Sequence, residues 1–218
     1  MHDHKSYQGA RTDLIAFVDS PKKVLDVGCN NGSTGLTIKN KFGDNVFVVG
    51  LDYNAKSIDI ASKVLDEAYT VDLNNLESVS SILKNHTFDY IIIGDTLEHL
   101  IAPKKLVSLL WVNHRQSEGK ILISLPNIYH YSLLFNIMRH SWPRNERGIF
   151  DKTHLQNYGF HNLKEFCQDD SKITYLKFKY RWLEKRGSKV DFLLNLLDYV
   201  PYIKYYFTFQ FIFELKEK

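Results

Sequence analysis

The sequence predicts an α/β fold: a doubly wound, mostly parallel sheet of seven strands, with an antiparallel edge and a helical insert after the fifth strand. Three observations lead there. Short, continuously apolar runs such as Val46-Phe47-Val48-Val49-Gly50-Leu51 recur at intervals that leave room for a helix. Strands of that kind are buried on both faces, as in parallel sheets covered by helices. The rhythm then breaks after Pro126, and the chain closes on two long strands that suit an antiparallel edge.

The elements follow in order. Tyr7–Val18 reads as an amphipathic helix that gathers Leu14, Ile15, Phe17 and Val18 towards one side, and Pro21 interrupts it. Lys23–Val27 is a short buried strand, followed by a glycine-bearing turn and a helix over Ser33–Phe42. Val46–Leu51 is the second strand, and Asn54 can cap a helix running to about Glu67. Ala68–Val71, Phe88–Ile93 and Gly119–Leu125 are the next strands, alternating with helices over Leu76–Leu83 and Ala102–His114. Beyond Pro126 come a helix over Tyr129–His140, a polar loop to Tyr158 and a helix over His161–Cys167. The closing strands run near Ile173–Leu183 and Phe207–Leu215, separated by a helical stretch near Val190–Tyr199.

The 218 residues suffice for one domain with a substantial core, taken as 1–218 with a substrate-side insert at about 126–160. A net charge of +3 is too small to argue for nucleic acid. Cys29 and Cys167 form no disulfide framework, so a reducing, cytoplasmic setting is expected. The charged start MHDHKSYQG lacks the apolar core of a signal peptide. No apolar run reaches the roughly 20 residues of a membrane span; the richest, Val200–Phe213, is broken by Pro201 and Lys204. Nothing in the sequence fixes an oligomeric state.

The loop after the first strand reads Asp26-Val27-Gly28-Cys29-Asn30-Asn31-Gly32-Ser33-Thr34-Gly35. Its glycines are spaced unlike the G-x-G-x-x-G of dinucleotide enzymes. Asp26 would repel a pyrophosphate and attract a cationic amino group, which argues against a nicotinamide dehydrogenase. Asp52, 20 residues beyond Gly32 at the end of the second strand, is placed to accept hydrogen bonds from ribose hydroxyls. Tyr53 can pack on an adenine face and Asp72, after the third strand, can accept its amino group. Carboxylates at the ends of successive strands meet along the edge where such sheets bind ligands.

VLDVGCNNGSTG, VVGLDYN, TVDL and FDYIIIGDTLEHL, in that order, resemble the class I S-adenosylmethionine-dependent methyltransferases over residues 7–125. The resemblance implies a Rossmann-like sheet, S-adenosylmethionine as cofactor, and a binding edge of Asp26, Gly28, Asn30, Asn31, Gly32, Asp52, Tyr53, Asp72, Leu73, Gly94 and Asp95. Where many relatives carry glycine this chain has Asn30, the residue besides glycine that best tolerates left-handed backbone.

Gly94-Asp95-Thr96-Leu97-Glu98-His99 faces the transferred methyl in that family. A hydroxyl acceptor needs a base, and the imidazole of His99 is a side chain of the kind that serves as one. Asp95, Glu98 and His99 also match the metal-supporting arrangement of some related quinone methyltransferases; the first reading is that no metal is held there. Ser124-Leu125-Pro126-Asn127 and Gly148-Ile149-Phe150-Asp151-Lys152-Thr153-His154-Leu155 resemble a bacterial subfamily associated with surface polysaccharides and capsules. Within this insert Asp151 and His154 can act as orienter and base. Asn127, Tyr131, Arg144 and Arg147 are candidates for the acceptor, and the arginines suit a phosphorylated or nucleotide-linked sugar. The chain is thus expected to be an O-methyltransferase acting on a small acceptor, with no nucleic-acid partner. Alternatives are a quinone or amine methyltransferase, or a non-catalytic cofactor-binding partner of a biosynthetic enzyme.

Overall fold

The computed structural model describes residues 9–43, 45–180 and 202–218. The helical stretch expected at 190–199, the first residues of the expected first helix and the strand end at 181–183 lie outside the described residues. Strands β1 (Lys23–Val27), β2 (Phe47–Asp52), β3 (Glu67–Thr70), β4 (Phe88–Gly94), β5 (Arg115–Pro126), β6 (Ser171–Tyr180) and β7 (Thr208–Glu217) form one sheet in the order β3-β2-β1-β4-β5-β7-β6. The first five are parallel, and β7 runs antiparallel to both β5 and β6. The helices are α1 (Thr12–Ile15), α2 (Ser33–Phe42), α3 (Ala55–Ala61), α4 (Leu76–Ile82), α5 (Pro103–Asn113), α6 (Tyr131–Met138) and α7 (Ile203–Phe207).

The unbroken apolar strands divide their side chains between two layers. Val24, Val48, Ile92 and Leu122 pack with Leu14, Ile15, Ile38 and Ile58. Their neighbours Leu25, Val49, Ile91 and Ile121 pack on the other side with Val79, Leu83, Leu106 and Leu110. This is the period-two alternation of a strand with helices on both faces. Each fully buried aliphatic side chain is worth about 1.5–3 kcal/mol. Because β2 and β4 flank β1, the chain reverses its winding there and leaves a crevice at the carboxyl ends of these strands.

Some boundaries differ from the sequence expectation, for identifiable reasons. Helix α3 ends at Ala61 instead of near Glu67, because Asp66 accepts a hydrogen bond from Val48 N at 2.7 Å and pairs with Lys39 at 2.6 Å, drawing the chain into β3. The expected helix at 161–167 is a 3-10 helix over Phe160–Phe166, entered where Gly159 N donates to Asn162 Oδ1 at 3.0 Å. Helix α6 is shorter than 129–140 at both ends, with His130 Nδ1 accepting from Ser132 N at its start. Among the described residues no helix is long and apolar enough to cross a membrane.

Candidate active site

The crevice begins at the turn after β1. Gly28 and Gly32 have φ of +76° and +78°, and an added Cβ at Gly28 would stand 2.3 Å from Thr96 Oγ1. Asn30 takes the left-handed conformation expected of it, φ +49°. Its N–H donates to Asp52 Oδ2 at 2.9 Å, while Asp52 Oδ1 accepts from Asn54 N at 2.9 Å. The Asp52 carboxylate therefore ties the end of β2 to the turn after β1. Each of its oxygens keeps lone-pair capacity for a further donor. Asn31 accepts from Ser33 N and so holds the entry to α2. Asp72 accepts from Asn74 N at 2.9 Å and stays exposed at the rim. Leu73 buries its side chain in the core, so only its backbone is left for the edge. Tyr53 is 65% exposed beside the crevice.

Asp26 is only 4% exposed, and its Oδ2 has no hydrogen-bond partner. Burial, and next the nearby charge of Asp52, raise its pKa to about 7, against the pull of Arg11. An ionisable acceptor held in this way is stabilised by a cation that reaches it.

Arg11 was not singled out in the sequence, where it is one basic residue in a polar N-terminal stretch. In the fold its Nη1 meets Asp95 Oδ2 at 2.7 Å and its Nη2 meets Asp13 Oδ2 at 3.0 Å. Burial alone would lower its pKa; Asp95 and Asp13 outweigh this and raise it above the usual arginine value. Lys179 pairs with Asp13 from β6. Asp95, with φ +51°, also accepts hydrogen bonds from Ser124 Oγ at 3.0 Å and from Gln210. Gly94 is small where an added Cβ would press on Arg11 at 3.0 Å. One carboxylate thus joins the N-terminal segment, β5 and β7 over the crevice.

The second cluster joins residues far apart in sequence. Leu155 N and Gln156 N both donate to Glu98 O, at 2.8 and 3.0 Å, and dock the 151–156 loop on the 3-10 turn Leu97–His99. Thr153 Oγ1 lies 2.6 Å from Asp151 Oδ1 and 3.0 Å from His99 Nδ1. A carboxylate only accepts, so Thr153 donates to Asp151 and receives the proton of His99 Nδ1. Asp151 therefore orients His99 through Thr153, where the sequence suggested it would orient His154. His154 Nδ1 donates instead to Ile149 O at 3.2 Å. The two imidazoles pack edge to face with centroids 4.9 Å apart, and His154 Nε2 lies 3.9 Å from Glu98 Oε1. Burial first, then His99, lower the His154 pKa; burial, then Asp95, raise that of Glu98 well above the carboxylate range.

One proposed acceptor contact is corrected. Asn127 is buried, and its amide donates to Tyr205 O at 2.7 Å and Thr208 O at 2.8 Å while Oδ1 accepts from Tyr129 N at 3.1 Å. It clamps β5 to the start of β7 and has no donor left for an acceptor. Tyr131 packs its ring on His130 and, across to α7, on Phe207, at 4.5 and 5.4 Å between centroids. Arg144 and Arg147 are exposed on the loop before Asp151. Of Asp95, Glu98 and His99, Asp95 belongs to the Arg11 cluster, and His154 stands with Glu98 and His99 in its place.

Residues 18–179 match the family described as a methyltransferase domain. The histidine protein methyltransferase 1 homolog of Dictyostelium discoideum is 31% identical over 170 residues, covering 71% of this chain and 52% of that protein. The chain thus spans about half the length of the curated relative it matches. Among solved structures, the plantazolicin methyltransferase BpumL in complex with SAH aligns with a TM-score of 0.58 at 16% identity, over 94% of this chain and 79% of that one. The YcgJ protein from Bacillus subtilis aligns with a TM-score of 0.59 at 13% identity, over 94% and 95% respectively. At these identities the likeness is one of fold.

Proposed function

The chain belongs to the methyltransferase domain family, and from that premise we propose that it transfers a methyl group from S-adenosylmethionine to an oxygen of a small acceptor, such as a sugar or phosphorylated surface-glycan precursor. The observation that carries this reading is the buried Asp26 carboxylate near the end of β1, whose Oδ2 has no hydrogen-bond partner, one strand from the Asp52 carboxylate that closes β2. The pair suits a ligand with an ammonium group and a ribose, and poorly suits a pyrophosphate. SAH bound to the fold relative BpumL supports the same class of ligand.

Bound S-adenosylmethionine supplies an electrophilic methyl group on a sulfonium and leaves as a neutral thioether. The protein's part is alignment and handling of the acceptor's proton. Asp26 holds the amino group, Asp52 the ribose and Tyr53 the adenine face. His99, whose Nδ1 donates to Thr153 and whose Nε2 keeps its lone pair, takes the proton of the acceptor hydroxyl on Nε2 as the new oxygen–carbon bond forms, with His154 and Glu98 packed beside it. Arg144 and Arg147 supply the charge that a phosphorylated acceptor requires. The surface-glycan assignment rests on the resemblance of the Ser124–Asn127 and Gly148–Leu155 motifs together with these two arginines.

A second reading has its own support. The 31% identity to a histidine protein methyltransferase homolog favours an imidazole nitrogen of a protein as acceptor. A neutral imidazole needs no base, so the two readings separate by experiment. Purified protein is incubated with labelled cofactor and three acceptor sets: sugar phosphates with nucleotide sugars, amines, and histidine-containing peptides. Product on a hydroxyl acceptor, with His99→Ala and His154→Ala each slower by about 100-fold or more, is the expected outcome. Product on the peptides alone, with both variants unimpaired, would overturn it. Cofactor binding without product in any set would favour a non-catalytic partner.

A further inference from the structure

We infer that α6 and α7, with the loop that follows α6, dock this protein on an anionic lipid surface beside the acceptor side of the crevice. Helix α6 reads Tyr131-Ser132-Leu133-Leu134-Phe135-Asn136-Ile137-Met138. At about 100° per residue, Leu134, Phe135, Ile137 and Met138 share an arc of roughly 160°. All four are more than half exposed, from 51% to 65%. The polar Ser132 and Asn136 lie on the opposite side, where Asn136 Nδ2 donates to Ser132 O at 2.8 Å. A surface helix of a globular protein ordinarily turns its apolar stripe to the core. Here the order is inverted: α6 buries none of its residues, whereas each of α1 to α5 buries at least one.

Helix α7 adds to this surface. It also buries no residue, and Tyr202, Ile203 and Tyr206, in or beside it, are exposed. The rings of Tyr131 and Phe207 join the two helices, with centroids 5.4 Å apart. Trp142, four residues beyond α6, is exposed as well. An apolar surface of this extent marks a binding face.

The charges select the occupant. Arg139, Arg144 and Arg147 follow α6 and are exposed, and among the described residues none of them forms an ion pair. The one carboxylate between Asn127 and Phe150, that of Glu146, is paired with Lys152. Residues 202–208 carry Lys204 and no acid. Exposed aliphatic, Trp and Tyr side chains accompanied by cations suit the boundary of an anionic bilayer. There aromatic rings settle at headgroup level and basic side chains meet lipid phosphates. A two-fold contact with a second copy would instead bring the same cations together.

Both helices stand at the carboxyl edge of the sheet. Helix α6 follows β5, and α7 leads into β7, where Asn127 N donates to Phe209 O at 2.9 Å. The docking face therefore borders the edge on which the crevice opens. An acceptor carried in the lipid surface would meet the crevice there; this last step alone rests on the methyl-transfer reading above.

The test uses neither cofactor nor acceptor, so its failure leaves the methyl-transfer reading standing. The tag-free chain is floated with vesicles of phosphatidylcholine alone, or of phosphatidylcholine and phosphatidylglycerol in equal parts. Binding to the anionic vesicles should be at least about tenfold tighter than to the neutral ones, and should weaken as salt is raised. Leu134→Ser/Met138→Ser should weaken it about tenfold or more, and Arg139→Glu should weaken binding to the anionic vesicles alone. Thermal unfolding of these variants reports whether they fold. In the unaltered chain, brominated lipid should quench tryptophan emission, and Trp142→Phe should remove most of that quenching. No binding to either vesicle, equal binding to both, or full binding by the Leu134→Ser/Met138→Ser variant would each overturn the inference. A dimer in solution that this variant dissociates, without vesicle binding, would give the face to a second copy instead.

Discussion

The two halves of the crevice are assembled differently. On the proposed cofactor side, from Val24 to Leu73, each candidate residue sits at the end of a strand or in the turn after it, and Asp52 reaches Asn54 and, 22 residues away, Asn30. On the acceptor side the cluster exists only because Glu98 and His99 meet a loop 54 residues further on. The first half follows from strand order alone, whereas the second depends on an insert docking correctly. Changes on the cofactor side should therefore affect folding or cofactor affinity, and changes on the acceptor side should affect acceptor binding or turnover and leave cofactor affinity unchanged.

The largest expected effect is Gly28→Ala. A side chain at φ +76° that also meets Thr96 should cost about 3 kcal/mol. Chemical denaturation measures it, and Thr96→Ala in the same chain should recover part of the loss. No loss would mean that the turn after β1 is looser than described.

Asp26→Asn comes next, with SAH affinity falling roughly 10- to 100-fold at pH 8. The sign of the pH dependence follows from the raised pKa. With its pKa lifted from 3.8 to about 7, the folded, ligand-free chain keeps a proton that the unfolded chain has lost. Asp26 therefore lowers stability progressively as pH rises between those values, and the loss is complete above about 7. A ligand ammonium selects the ionised form, so SAH affinity should rise with pH up to about 7 and then level off. Asp26→Asn should flatten that profile; an unchanged profile would remove Asp26 from the amino-group site.

On the acceptor side, Thr153→Val should lower kcat about tenfold through loss of His99 orientation, with SAH affinity unchanged and Thr153→Ser retaining most of the rate. A parallel fall in SAH affinity would mean that the two halves are not separable. The smallest effect belongs to Arg144→Ala and Arg147→Ala, which should raise KM for a phosphorylated acceptor a few-fold without changing kcat. Equal effects on an uncharged acceptor would count against a phosphate contact.

The same contrast explains what could be read from the sequence. The strands were legible because residues such as Val48-Val49 and Ile91-Ile92-Ile93 leave no polar face, and a parallel sheet is the structure that buries both. The carboxylates at the strand ends followed directly. Arg11 was not legible, because its role comes from Asp95, 84 residues away in a separate element. Asn127 misled for the opposite reason: a polar residue after a strand suggests a ligand, yet its amide is used up joining β5 to the segment before β7. Asp151 and His154 are three apart in sequence and read as a pair, yet the fold does not join their side chains. Thr153, between them, redirects Asp151 to His99.

Calorimetry of SAH against NAD, in the unaltered chain and in Asp52→Ala, tests the central claim most directly. One SAH should bind per chain and NAD should give no heat. Asp52→Ala should weaken SAH by about 100-fold or more, since both oxygens of that carboxylate are engaged at the crevice. Binding of NAD in place of SAH, or SAH binding that ignores Asp52→Ala in a folded protein, would contradict the account.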